Sequence, residues 1–221
     1  MKTALLMYSL LATTSMGNFF ASDYSGRNND CAENAQKNYL LTQEDTLNLK
    51  PFEGYYRFPN RVAYIQFLVK DGVLEARQLW DGRHYRLQST GTSRFQSIEE
   101  AYPLEFNSPT NPSQVKILNR VVLSKVDFNP LERQTPSQEV LKRAMGKYRL
   151  TRANDMLITV FTKDGKLVLR QKWDNKEVIL ESMTDTEFIN QDLLMPVSFG
   201  TSENGQPYMH CFENDIWEKV E

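Results

Sequence analysis

Cysteine is nearly absent from this chain. Only Cys31 and Cys211 occur in 221 residues, which excludes a disulfide-dense scaffold and any thiolate-rich zinc cluster. Histidine is equally scarce, with His84 and His210 alone. His210 stands beside Cys211, but adjacent strand residues face opposite sides and two ligands do not make a zinc site, so no metal is expected. An excess of one charge is also missing. Lys and Arg total 26 against 28 Asp and Glu, for a formal net charge of −2, so no global field gathers nucleic acid or anionic lipid. The apolar run from Ala4 to Ala12 is too short to span a bilayer as a helix. Catalytic motifs are lacking too. No Gly-x-Ser-x-Gly elbow, His-Glu-x-x-His helix or phosphate-cradling glycine loop occurs, and the Ser-x-x-Lys tetrad of a penicillin-recognising serine enzyme is not expected here. The expectation is a protein without catalytic residues and without a cofactor.

What is present begins with an export pattern. Lys2 precedes the apolar run, and Thr13 to Asp23 then turns small and polar, the arrangement of a secretory signal with a cleavage region. Cleavage after Gly17 or Ala21 is expected, residues 1–21 being taken as the signal, with the mature protein in the periplasm or outside the cell. Residues 22–41 form a polar leader. In an oxidising compartment Cys31 and Cys211 could pair and staple the leader to the end of the chain, or remain two independent thiols.

The rest of the chain is a tandem repeat. Residues 64–106 align without a gap on 157–199: Lys70-Asp71-Gly72 on Lys163-Asp164-Gly165, Arg77-Gln78 on Arg170-Gln171, Trp80-Asp81 on Trp173-Asp174, Phe95 on Phe188, Pro103 on Pro196 and Phe106 on Phe199. Upstream the register slips by one, so that Gly54-Tyr55-Tyr56-Arg57 meets Gly146-Lys147-Tyr148-Arg149. The first module spans 42–126 and the second 135–221, joined by a linker at 127–134. Asp71-Gly72 and Asp164-Gly165 are hairpin-turn dipeptides, and Asp81-Gly82 and Asp174-Asn175 repeat the signal. Strands are expected near 54–58, 62–69, 73–80, 83–89, 94–98, 103–107, 114–118 and 120–126, with the second copy mirroring them. Even spacing of this kind predicts an all-β fold: two tandem small up-and-down barrels. A short helix precedes each, over Thr42 to Lys50 and, capped near Thr135-Pro136, to about Ala144.

The order of short helix, Gly-x-Tyr, strand and Asp-Gly hairpin, clearest at Leu141-Lys142-Arg143-Ala144-Met145-Gly146-Lys147-Tyr148-Arg149-Leu150, resembles the small lipocalin-like β domain appended to serine β-lactamase-like and penicillin-binding-protein-like hydrolases. The resemblance covers both modules. It implies an eight-stranded barrel with an accessory role and supplies no catalytic residues; here the barrel is doubled and the hydrolase is missing.

The repeated Arg-Gln-x-Trp-Asp supplies the candidate positions Gln78, Trp80, Gln171 and Trp173. Alternation places Leu74, Ala76, Gln78 and Trp80 on one face, with Leu167, Leu169, Gln171 and Trp173 as counterparts. On a functional reading Trp stacks on an apolar or sugar-like ligand while Gln orients it. On a structural reading Trp plugs the barrel, Gln satisfies a buried backbone group, Asp makes the turn and Arg pairs across the outer surface. The structural reading is favoured, because a short-stranded barrel has room only for side chains. The aromatics Tyr55, Tyr56, Phe58, Tyr64 and Phe67 exceed what one inward face needs, and the surplus suits contact with the sister barrel or a partner. The function expected is a non-catalytic exported binding or accessory protein acting through a protein partner, with a small apolar or sugar-like ligand held inside a lipocalin-like barrel as the alternative and an enzyme of unrecognised type as the third reading.

Overall fold

The computed structural model describes residues 47–221; the segments read as signal (1–21) and leader (22–41), and with them Cys31 and its pairing with Cys211, lie outside the described residues. Within that span the two copies form two closed eight-stranded antiparallel barrels in tandem, each with its strands in sequence order around the wall. The first contains β1 (Gly54–Arg57), β2 (Tyr64–Lys70), β3 (Val73–Gln78), β4 (His84–Ser89), β5 (Arg94–Ser97), β6 (Pro103–Phe106), β7 (Gln114–Ile117) and β8 (Val121–Val126). The second contains β9 (Gly146–Leu150), β10 (Ala153–Lys163), β11 (Lys166–Gln171), β12 (Glu177–Ser182), β13 (Glu187–Asn190), β14 (Met195–Thr201), β15 (Pro207–Cys211) and β16 (Asp215–Lys219). Closure pairs β1 with β8 and β9 with β16 and so removes the sheet edges.

Cross-strand register is the same in both copies. Leu74 faces Leu87 as Leu167 faces Leu180, and Ser89 faces Phe95 as Ser182 faces Phe188. The hairpin dipeptides produce this register. Asp71 and Gly72 both have positive φ, as do Asp164 and Gly165, and the mirror-image turn matches the twist of the strands it joins. The glycine of Gly-x-Tyr is needed for a different reason. Gly54 and Gly146 have φ of +128° and +150°, and a side chain there would run into Lys125 or into Lys219 and the Glu221 carbonyl.

One end of each barrel is stopped by the segment that precedes it. In the first barrel this is a 3-10 turn, Lys50–Phe52, whose Phe52 is fully buried with its ring 4.6 Å from Phe106 and 5.0 Å from Phe95. In the second it is α1 (Gln138–Ala144), whose Val140, Leu141 and Ala144 join the barrel core. The helix begins two residues later than the sequence suggested. Ser137 rather than Thr135 is its N-cap, with the Val140 N–H donating to Ser137 Oγ at 3.2 Å. Among the described residues the helix expected over Thr42 to Lys50 is represented only by the 3-10 turn at its end.

Candidate functional site

The four sequence candidates do not share a barrel interior. Both inner-face assignments hold as far as Ala76 and Leu169, which are buried with Leu74 and Leu167. The strands then stop at Gln78 and Gln171 and the chain turns outward: Gly82 N donates to Gln78 O at 3.0 Å, and Gln78 N to Arg83 O at 2.9 Å. Trp80 is therefore 52% exposed and Trp173 47% exposed, which corrects the expectation that they plug the barrels. Trp80 rests edge-on against Phe58 at 5.6 Å, and Trp173 stacks on Trp217 at 6.5 Å. Asp does make the turn. Asp81 Oδ1 accepts from Arg83 N at 3.1 Å and Asp174 Oδ1 from Lys176 N at 2.9 Å. The Gln amides serve the same turns, donating to the Asp81 carboxylate at 3.1 Å and the Asp174 carboxylate at 3.2 Å in the orientation that satisfies both groups. They satisfy no buried backbone group, contrary to the sequence reading. Of the two arginines on the outer face, Arg170 pairs with Glu177 at 2.6 Å and lies over the Phe161 ring.

Gln78 does border a cavity, as the functional reading of the motif required, but Trp80 is not among its lining residues. The end of the first barrel opposite Phe52 holds a cavity of about 100 Å³ lined by Ile65, Ala76, Gln78, Tyr85, Leu87 and Ser97. Ser97 is buried, and its Oγ accepts from Tyr102 N at 2.9 Å. The turns that surround this mouth carry exposed apolar side chains: Trp80 after β3, Ile98 and Tyr102 between β5 and β6, and Leu118 after β7.

The same mouth of the second barrel is built differently. Leu169 stands at the place of Ala76, Met195 at that of Tyr102, Leu193 at that of the acidic Glu100, Phe212 at that of Leu118 and Trp217 at that of Leu123. Leu169, Met195 and Trp217 are buried members of the core, and Leu193 and Phe212 pack against it. Loop geometry supports the equivalence. Leu118 and Phe212 both have positive φ, and each donates its N–H to the carbonyl of the matching proline, Pro103 or Pro196.

Arg61, in the β1–β2 connection, joins the two barrels. It is only 6% exposed, and its guanidinium donates to His210 O at 2.9 Å, Phe212 O at 3.3 Å, Ser198 Oγ at 2.8 Å and Glu187 Oε2 at 3.1 Å. Arg57 Nη1 lies 3.1 Å from the same carboxylate oxygen, without the alignment of a hydrogen bond. Burial pulls the Arg61 guanidinium below its ordinary pKa, with the Glu187 charge opposing the shift. Burial, and then Arg61, lower His210. Asn60 holds the loop by accepting from Val62 N and Ala63 N. The one signal for this clamp was the register slip between the copies, which falls in this connection. The surplus aromatics are divided along the same side: Tyr56 and Phe67 are core, while Tyr64 meets Phe128 of the linker at 6.3 Å.

The linker itself is docked on the second barrel, through Gln134 N to Ser182 O at 2.9 Å and Arg133 to Glu181 at 3.1 Å. Two clefts flank this seam. One of about 680 Å³ is open and lined by charges of both signs, Arg57, Lys125, Asp127, Asp185 and Glu187. The other, about 240 Å³, runs between Trp80, Leu131, Tyr64, Met183 and Ile189.

Contrary to the sequence reading, the Ser-x-x-Lys spacing does occur, at Ser113-Gln114-Val115-Lys116, but Gln114–Ile117 is strand β7, where residues three apart point to opposite faces. Cys211 has no disulfide partner among the described residues and is 1% exposed; burial pushes its thiol pKa up to about 12, the opposite of an activated nucleophile. Among the described residues no group of three or more His, Cys, Asp or Glu is placed to hold a metal ion. No protein-family model matches the chain, and no curated protein matches it closely enough to count as a relative.

Proposed function

We propose that this is a non-catalytic, exported binding or accessory protein whose docking surface for a protein partner is the mouth of the first barrel. The observation that carries the reading is the contrast between interior and rim. The cavity at that mouth, about 100 Å³, falls below the roughly 300–1,000 Å³ of small-molecule pockets, while Trp80, Ile98, Tyr102 and Leu118 stand exposed at that end and form the kind of apolar surface that marks interaction sites. The resemblance to barrels appended to penicillin-recognising hydrolases points to the same accessory role. The signal-like residues 1–21 place the encounter in the periplasm or outside the cell.

A second reading, binding of a small apolar ligand, is favoured by one observation: the half-exposed Trp80 walls the apolar cleft of about 240 Å³ at the seam. Native mass spectrometry of the protein purified from its own source separates the two. The docking reading expects a complex heavier by a protein mass that disappears in an Ile98→Asp, Leu118→Asp double variant. An adduct of a few hundred daltons that survives this variant and is lost with Trp80→Ala would replace it with the second reading.

A further inference from the structure

We infer that the mouth of the first barrel is a socket for one aliphatic side chain, of leucine or methionine size, presented by a partner polypeptide. The inference rests on the docking reading above and adds the chemistry of the contact. The molecule itself shows what such a mouth accepts. At matching positions the second barrel fills its mouth from within, using Leu169, Leu193 and Met195, where the first has Ala76, Glu100 and Tyr102. The exchange is partly compensated deeper in the barrel. Ala76 faces Phe67 across the β2–β3 pair, whereas Leu169 faces Val160. Ala76 lines the cavity and Phe67 does not, so the vacant volume lies on the mouth side, open to a group arriving from outside.

The polar atoms around the cavity favour a side chain over a free polar ligand. A small-molecule site orients its ligand with a few convergent polar groups. Here the Gln78 amide is held by Asp81 and the Ser97 hydroxyl by Tyr102 N. With the Gln78 and Ser97 groups engaged in this way, the socket asks for an apolar knob. The charged groups stand outside it, at Arg83 and Glu100, both exposed, where the main chain carrying the knob would lie. A cavity of about 100 Å³ is somewhat smaller than the roughly 150 Å³ site that holds benzene, which suits one aliphatic group and disfavours an indole.

The test is selection of a random-peptide display library on the protein, with affinities of the enriched peptides measured by fluorescence anisotropy. The expected result is peptides sharing one Leu, Ile or Met. Changing that residue to Ala, or filling the socket with Ala76→Leu, should each weaken binding by at least about tenfold, the loss typical of removing a buried anchor. The two changes together should cost no more than either alone. Thermal unfolding confirms that Ala76→Leu folds, and Ala76→Val supplies a smaller fill if it does not. Peptides lost with Ile98→Asp but indifferent to folded Ala76→Leu and Ala76→Val would overturn the socket and leave the docking reading standing. A library that enriches nothing relative to the Ile98→Asp, Leu118→Asp variant would overturn both. Binding of 1-hexanol, detected by amide shifts confined to the mouth, with no peptide enriched would overturn the socket in favour of a free apolar ligand.

Discussion

The two barrels share a strand order and a register, yet they solve the problem of filling a small closed sheet in different ways. The first concentrates aromatic rings: Phe106 meets Phe52, Tyr56, Phe67 and Phe95 with centroids 4.6 to 5.7 Å apart. The second keeps Tyr148, Phe188 and Phe199 from that set and completes its core with Val160, Leu141 and Leu169. Large rings near the Phe52 end of the first barrel leave its far mouth with Ala76 and an open cavity. Distributed aliphatic groups close the far mouth of the second. Duplication thus preserved the wall, which turn chemistry dictates, and let the interiors diverge, where only total volume and patterning are constrained. One copy became a self-filled scaffold, and the other kept an unfilled end.

That contrast can be broken by substitution. The largest effect is expected from Leu169→Ala, which removes a fully buried side chain from the plugged barrel and should cost about 4 kcal/mol, within the range for leucine truncation in a core. Chemical denaturation should show the loss in the second barrel's transition. Next is Arg61→Ala, expected to cost about 3 kcal/mol, the lower end for a broken buried ion pair, because Arg57 still faces Glu187. It should also uncouple the barrels, so that differential scanning calorimetry resolves two transitions where the clamped protein shows closer ones.

An alkaline titration kept below the ordinary tyrosine pKa of 10.0, above which the buried Tyr56, Tyr64 and Tyr148 phenols also respond, probes the second barrel. The Cys211 thiol is raised from its ordinary 9.0 to about 12 by burial. A raised folded pKa leaves stability intact below 9.0 and removes it as pH climbs from there toward 12, at about 1.4 kcal/mol per pH unit. Equilibrium unfolding between pH 8 and 10 measures the slope, and Cys211→Ala should flatten it. The smallest effect is expected from Trp173→Ala. A side chain stacked outside the barrel on Trp217 should cost about 1 kcal/mol, against the 3 to 5 of a core tryptophan. Denaturation of that variant separates the two positions.

The architecture was legible in the sequence because turns announce themselves. Asp71-Gly72, Asp164-Gly165 and the even spacing of short apolar segments led to eight strands in each copy, with ends within about two residues of those observed. The placement of Trp80 and Trp173 was not legible. Alternation carries no information about where a strand ends, and the Gln-Asp hydrogen bond that turns the chain at Gln78 joins residues three apart without any change of periodicity. The socket escaped for another reason. A cavity is a difference between neighbours, and Ala76 reads as an ordinary small core residue until Leu169 is seen in the same register with a different cross-strand partner. The Arg61 clamp depends on contacts more than a hundred residues apart, which a single sequence does not display.

The central claim, that one mouth is open and the other plugged, is tested most directly by a crystal of the protein pressurised with xenon, a probe that enters dry apolar cavities and needs no hydrogen bond. One xenon site is expected at the first barrel's mouth, among Ile65, Ala76 and Leu87, with none beside Leu169 and Met195. Equal occupancy in both barrels, or a site in the second and none in the first, would contradict the account.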